Sequence, residues 1–245
     1  MNQSSKKPNL FRKKKIVRFF IDRKKIFIER SYFLGSKMSK FFINLGYLVA
    51  TSAFFKKNKD VFNSSKKSLY DYLASEDQLG EIEMTYLEFG VYKGSTFEYW
   101  LHQNSNPNSI FTGFDTFSGL PEDWGHIPKG HFDTRGNMPH FDDQRYQFKK
   151  GLFSESLPPF ILSNQDLLKK KLVIHLDADL YSSTLFVLVS LSSYIKQGDV
   201  LIFDEFFSVL NASTEFRAFM DFLTINPLKY KVIGTTTEQC AILIE

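Results

Sequence analysis

Apolar positions fall into short strand-length runs separated by helix-length amphipathic segments. Residues 84–89, 110–114, 173–176 and 200–203 are rich in apolar, aromatic and β-branched side chains, and 147–149 adds a shorter run. Between them, 68–79, 96–102, 160–169, 182–196 and 215–223 place apolar residues at helical spacing. Residues 230–234 and 240–244 read as a terminal hairpin joined by Thr-Thr-Thr-Glu. Strands alternating with helices predict a parallel α/β sheet with an antiparallel end.

Two of these apolar runs stop abruptly in acids. Residues 173–176 lead into Asp177-Ala-Asp179, and 200–203 into Asp204-Glu205. One helix and a Gln-Gly-Asp turn separate them, so a parallel sheet sets both acid pairs at its carboxyl edge, where open α/β folds bind ligands. Residues 117–145 are polar and rich in Gly, Pro, His and Asp, a loop long enough to suggest function.

At 245 residues the chain has room for one large α/β domain, placed at 68–245, plus an accessory segment at 1–60. Charge separates the two. Residues 1–60 hold 16 of the 31 Lys/Arg against three acids, whereas the remainder is net acidic. A broadly basic nucleic-acid face on the catalytic part is thereby disfavoured. Residues 10–55 read as basic amphipathic helices following a polar stretch at 1–9. Two roles stand for this arm: a helical lid or homo-oligomer contact, and peripheral attachment to an anionic membrane. Residues 41–55 are too short to span a bilayer. Residues 56–67 read as a linker. A single cysteine, Cys240, excludes an intramolecular disulfide and suits a reducing cytoplasm.

Glu88-Phe-Gly90-Val91-Tyr92-Lys-Gly94-Ser95 follows the first strand and opens a helix. The glycines allow a tight turn and close approach of a ligand. The spacing is not the dinucleotide fingerprint, and an acid before the turn repels phosphate. Asp115, ending the second strand, is placed to accept both ribose hydroxyls. A cationic, ribose-bearing, phosphate-free cofactor fits both acids, and S-adenosylmethionine is such a molecule.

Five segments in order carry a resemblance: 88–95, 113–122 (GFDTFSGLPE), 150–158 (KGLFSESLP), 175–184 (HLDADLYSST) and 203–206 (FDEF). Over about 68–245 the chain resembles class I S-adenosylmethionine-dependent methyltransferases, and more narrowly the macrocin/mycinamicin-type sugar O-methyltransferases. The resemblance implies a Rossmann-like, seven-stranded, mostly parallel sheet and an enzyme acting on a hydroxyl of a sugar or glycosylated metabolite. It implies cofactor contacts from Glu88, Gly90, Val91, Tyr92, Gly94, Ser95, Asp115 and Gly151. It further implies a divalent metal, Mg²⁺, held by Asp177, Asp204 and Glu205, with Asp179 as general base. The family commonly has Asp-Asp where this chain has Asp204-Glu205.

Such chemistry suits these residue types. A sugar hydroxyl must be oriented and deprotonated before it attacks a sulfonium methyl, and hard carboxylate oxygens suit Mg²⁺. His175, inside a strand, reads as a satisfied buried histidine. His126, His131 and His140 fit no standard metal spacing. Trp124 and Phe132 read as an apolar wall or a loop anchor, and Arg217 as a substrate contact or a surface ion pair. Two other readings remain at this stage: a lipid or polysaccharide acceptor at a membrane, and a non-catalytic binding protein on the same fold.

Overall fold

The computed structural model describes residues 35, 38, 42–75, 78–207 and 214–245. Most of the basic arm, and with it the membrane and lid readings, lies outside them. The chain divides into two units, 1–46 and 47–245; everything below concerns the second. Among the described residues no helix is long and apolar enough to cross a membrane.

The sheet has seven strands: β1 (Thr85–Phe89), β2 (Ile110–Asp115), β3 (Tyr146–Lys150), β4 (Leu172–Leu176), β5 (Val200–Phe203), β6 (Tyr230–Thr235) and β7 (Cys240–Ile244). Their order is β3-β2-β1-β4-β5-β7-β6. All neighbours pair in parallel except β5 with β7 and β7 with β6. β1, β4 and β5 are buried along their whole length, as expected of central parallel strands covered on both faces.

Period-two alternation divides the core. Leu87, Phe89, Ile174, Leu176 and Phe203 face one layer, against α4 (Phe153–Ser163), α6 (Tyr181–Leu191) and α7 (Thr214–Ile225). Phe216, Phe219 and Phe222 of α7 point into this layer, where Phe219 meets Phe203 at 5.3 Å between ring centroids. Tyr86 and Val173 face the opposite layer, against α2 (Lys66–Ser75) and α3 (Ser95–Gln103).

Two boundaries differ from the sequence reading. The fourth helix starts at Phe153, not 160, and carries Pro158 and Pro159 inside it, with a separate turn α5 (Gln165–Leu168) behind. Proline removes an internal donor and clashes with the preceding turn, which is why the sequence points to a later start. The buried Leu157 and Phe160 hold the irregular helix on the sheet. Residues 56–67, expected as a linker, belong to the compact unit. Residues 47–57 are helical (α1), and Phe54 packs 5.4 Å from the Phe206 ring. Asn63 then donates its N–H to the Thr235 carbonyl at 2.6 Å, extending the edge of β6.

Arg145 ties α3 to the loop preceding β3. Its guanidinium donates to the carbonyls of Leu101, Asn104 and Asn106 at 2.6–3.1 Å and to Asp143 at 2.7 Å. A cation there satisfies the free carbonyls of a helix C-terminus and complements its dipole. Arg145→Ala is expected to lower unfolding stability by about 3 kcal/mol in urea titrations, because several half-buried acceptors lose a charged donor together. The Arg145 hydrogen bond holds Asp143 below its ordinary carboxylate value. Stability from this pair is therefore complete above pH 3.8, Asp143's ordinary value, and lost as pH falls through its lower folded value, so the gap between wild type and variant should narrow in acid.

Candidate active site

Strand order reverses between β1 and β4, leaving a crevice at their carboxyl ends. The backbone keeps these ends level. Gly90 N–H donates to the Phe114 carbonyl, Asp177 N–H to Phe89 and Asp204 N–H to Leu176, each at 2.9 Å. Gly90 has φ +98°, and a Cβ there would overlap the Asp177 carbonyl oxygen. Glycine at this position thus lets the turn after β1 pack directly against the first acidic pair. Gly94, at φ +81°, sits against Pro139 and Phe141 of the long loop.

A cavity of about 600 Å³ opens at this edge, a volume in the usual range for small-molecule sites. Gly90, Tyr92, Asp115, Asp177, Asp179, Asp204 and Glu205 line it, joining three of the eight expected cofactor residues to the four expected metal and base acids. Val91, Gly94, Ser95 and Gly151 are not on its wall. Gly151 instead donates to the Asp115 carbonyl at 3.0 Å, while its successors Leu152, Phe153 and Ser154 reach the cavity. The 117–145 loop supplies Leu120, Pro121, Trp124 and Phe132 as an apolar wall with Glu122 beside them, and α6 supplies Ser182, Ser183 and Phe186. Ser182 donates to Glu122 at 2.8 Å, closing loop onto helix.

Asp115 clamps the glycine turn. Its Oδ2 accepts the N–H groups of Val91 and Tyr92, and Oδ1 that of Phe117, all at 2.7 Å. A carboxylate has about four acceptor directions, so one is left for a further donor.

Asp179 lies on a tight turn. Leu180 N–H donates to the Ala178 carbonyl at 2.5 Å, and Asp179 has φ +58°. Such a turn is strained, and Asp is among the few residues that tolerate it. The strain turns a 9 % exposed carboxylate onto the cavity wall. Burial first, then repulsion from Glu205, Asp204 and Asp115, raises it to about 7. Burial and the neighbouring Asp204 push Asp177 well above the ordinary range.

Glu88 goes elsewhere than expected. It is 1 % exposed and faces the α2/α3 layer, in register with His175 on β4. The Tyr86 hydroxyl donates to Glu88 at 2.5 Å and lies 3.0 Å from His175 Nδ1. On the other side of the ring, the Tyr70 hydroxyl lies 3.1 Å from His175 Nε2 and donates to Asp204 at 3.4 Å. Each tyrosine has one proton to give, and both carboxylates receive one only when His175 donates from both nitrogens. Burial opposes that imidazolium, but Asp204 and Glu88 outweigh it and raise His175 to about 9. The direct His175–Asp204 separation is 3.9 Å, too long for a hydrogen bond, so Tyr70 carries the link. Burial would likewise raise Asp204, but His175 and Lys66 together hold it at about 2.

Two further residues shape the acidic wall. Lys66 Nζ stands 2.6 Å from Asp204 Oδ1. Glu215, fully buried in the first turn of α7, accepts the Glu205 N–H at 2.9 Å on one oxygen and the Ala178 N–H at 3.4 Å on the other. Neither has a motif in the sequence. A buried acid at the start of an otherwise apolar helix face was the available signal for Glu215. Arg217 stacks 4.3 Å from the Tyr181 ring and lies 3.6 Å from Asp221, as the ion-pair reading has it.

The chemistry of Asp177, Asp204 and Glu205 fits a hard divalent ion. They are oxygen donors on one wall, and Asp204 is the first carboxylate whose charge raises Asp177. As the side chains stand, no three His, Cys, Asp or Glu among the described residues converge on a metal position, and Asp204 already faces Lys66.

Residues 131–230 match the family model described as macrocin-O-methyltransferase (TylF). That span includes both acidic pairs but not the glycine turn. Among solved structures, the calicheamicin methyltransferase CalS11 superposes with a TM-score of 0.55 at 21% identity, over 73% of this chain and 80% of that one. A second CalS11 structure, described as a TDP-rhamnose 3'-O-methyltransferase in apo form, gives 0.51 at 21%, over 73% and 81%. No curated protein matches the chain significantly. The chain therefore shares the fold of these solved methyltransferases, and over residues 131–230 it is similar to the macrocin O-methyltransferases.

Proposed function

We propose that the chain moves the methyl group of S-adenosylmethionine to a hydroxyl of a sugar or glycosylated metabolite. One observation carries the reading. A single cavity is lined by Gly90 and Tyr92 of the glycine turn, by Asp115, and by Asp177, Asp179, Asp204 and Glu205. The family match over the acidic half, and a solved neighbour described as acting on TDP-rhamnose, support a sugar acceptor.

In this reading Asp115, with the turn it holds, orients the cofactor ribose. The acceptor oxygen attacks the methyl carbon in line. The O–CH₃ bond forms as the S–CH₃ bond breaks, the sulfur leaves as a neutral thioether, and the hydroxyl proton passes to Asp179. Alignment of the two reactants supplies on the order of 7–11 kcal/mol. Leu120, Trp124 and Phe132 keep water from the reacting atoms. A divalent ion held by Asp177, Asp204 and Glu205 would acidify hydroxyls it binds.

Isothermal titration with S-adenosylmethionine and its demethylated product tests the cofactor; absence of binding by either overturns the proposal. A labelled-methyl screen over nucleotide sugars, glycans and lipid extracts, with and without Mg²⁺, tests the acceptor. Asp115→Ala should weaken cofactor binding by about tenfold or more, since it removes the ribose acceptor and frees three backbone donors.

A further inference from the structure

We propose that Lys66 is the resident cation of the acidic wall, and that its ammonium group and a divalent ion exclude each other at Asp204. The inference rests on the reading of Asp177, Asp204 and Glu205 as metal donors. Lys66 opens α2, more than a hundred residues before the acids in sequence, and reaches Asp204 Oδ1 at 2.6 Å. Tyr70, one helical turn later, presents its hydroxyl 3.4 Å from the same oxygen. Helix α2 thus docks on Asp204 with two donors, one of them charged.

A small divalent ion sits about 2.0–2.1 Å from each carboxylate oxygen and demands near-octahedral surroundings. Lys66 and Tyr70 already occupy Oδ1, and an ion on either oxygen of Asp204 would stand a few ångströms from the ammonium, where two positive charges repel in partly buried space. One cation must therefore leave. The structure separates the two that face Asp204. His175 is fully buried and fixed by two tyrosine hydroxyls, whereas the Lys66 side chain is 35% exposed on a flexible four-carbon stem. Lys66 can return to solvent, and His175 cannot. In the metal-free chain, Lys66 keeps the carboxylates from repelling one another; when an ion binds, it is displaced, at the expense of apparent metal affinity.

The test uses the full chain and Mn²⁺ alone, with free ion counted by electron paramagnetic resonance. Lys66→Gln should bind Mn²⁺ at least about tenfold more tightly than wild type, since a competing charge at hydrogen-bond distance is gone. Lys66→Arg, which keeps the charge, should bind no more tightly than wild type. Adding Asp204→Asn to Lys66→Gln should abolish the gain. Equal or weaker binding by Lys66→Gln, with wild type still binding, overturns the exclusion and leaves the metal reading standing. No binding by either at millimolar Mn²⁺ removes both. Unchanged Mn²⁺ affinity with weakened S-adenosylmethionine binding in Lys66→Gln would assign Lys66 to the cofactor and overturn the proposal.

Discussion

Asp179→Asn is expected to lower kcat by about 10²–10⁴-fold, the usual contribution of a positioned general base, with cofactor affinity nearly unchanged. The substitution isolates proton transfer from folding. Asp179 sits at φ +58°, and Asn is the residue that best shares Asp's tolerance of that region, so the turn should survive. Asn keeps the size and a hydrogen-bonding oxygen but cannot take a proton. The native carboxylate is suited to take one, because burial and its acidic neighbours raise it to about 7. Asp179→Ala would confound the result by placing a residue without local hydrogen bonding in a strained turn. The measurement is kcat and KM on the best acceptor from the methyl-transfer screen, beside calorimetric titration of the cofactor. A raised KM at unchanged kcat would make Asp179 a binding residue and end its assignment as base.

Much of this site was legible because strands bring distant residues together by a simple rule. The two apolar runs ending in acids had to lie side by side once the sheet was parallel, and the cavity has Asp177, Asp179, Asp204 and Glu205 on its wall. The glycine turn was legible for the same reason, although Gly90 serves approach of the Asp177 backbone as well as any ligand. Side-chain direction was less legible. Glu88 ends the same strand as the turn, yet the pleat aims it at His175 and Tyr86, away from the cavity. That face could have been inferred from alternation, since Tyr86 and Glu88 are two apart and Leu87 and Phe89 share the opposite layer. Lys66 was hidden by its surroundings in sequence. A lysine among Lys, Asn and Ser reads as solvated, and only docking of α2 brings it to Asp204. Pro158 and Pro159 hid the start of α4, because local backbone preference opposed a helix that burial of Leu157 and Phe160 sustains.

Glu215 makes the sharpest case for a residue that acts through others, and its replacement carries the second large expected effect. Its carboxylate spans the two acid-tipped loops, holding Glu205 N–H on one oxygen and Ala178 N–H on the other. Ala178 is the residue between Asp177 and Asp179, so this one side chain sets the spacing of all four acids. Glu215→Ala removes the acceptor of the part-buried Glu205 N–H and of the buried Ala178 N–H, at a cost of about 1–3 kcal/mol, and frees the loops to separate. A displacement near 1 Å at reacting groups is worth up to about 10²-fold in rate. The expected result is therefore a kcat loss of that order with little change in cofactor affinity, because Asp115 and the glycine turn lie outside the clip. Glu215→Gln fills the same volume and keeps one acceptor, but turns an NH₂ group toward the other N–H. It should recover most of the melting temperature and little of the rate. Recovery of both together would mean that Glu215 contributes only stability, and wild-type kcat in Glu215→Ala would remove it from the site altogether.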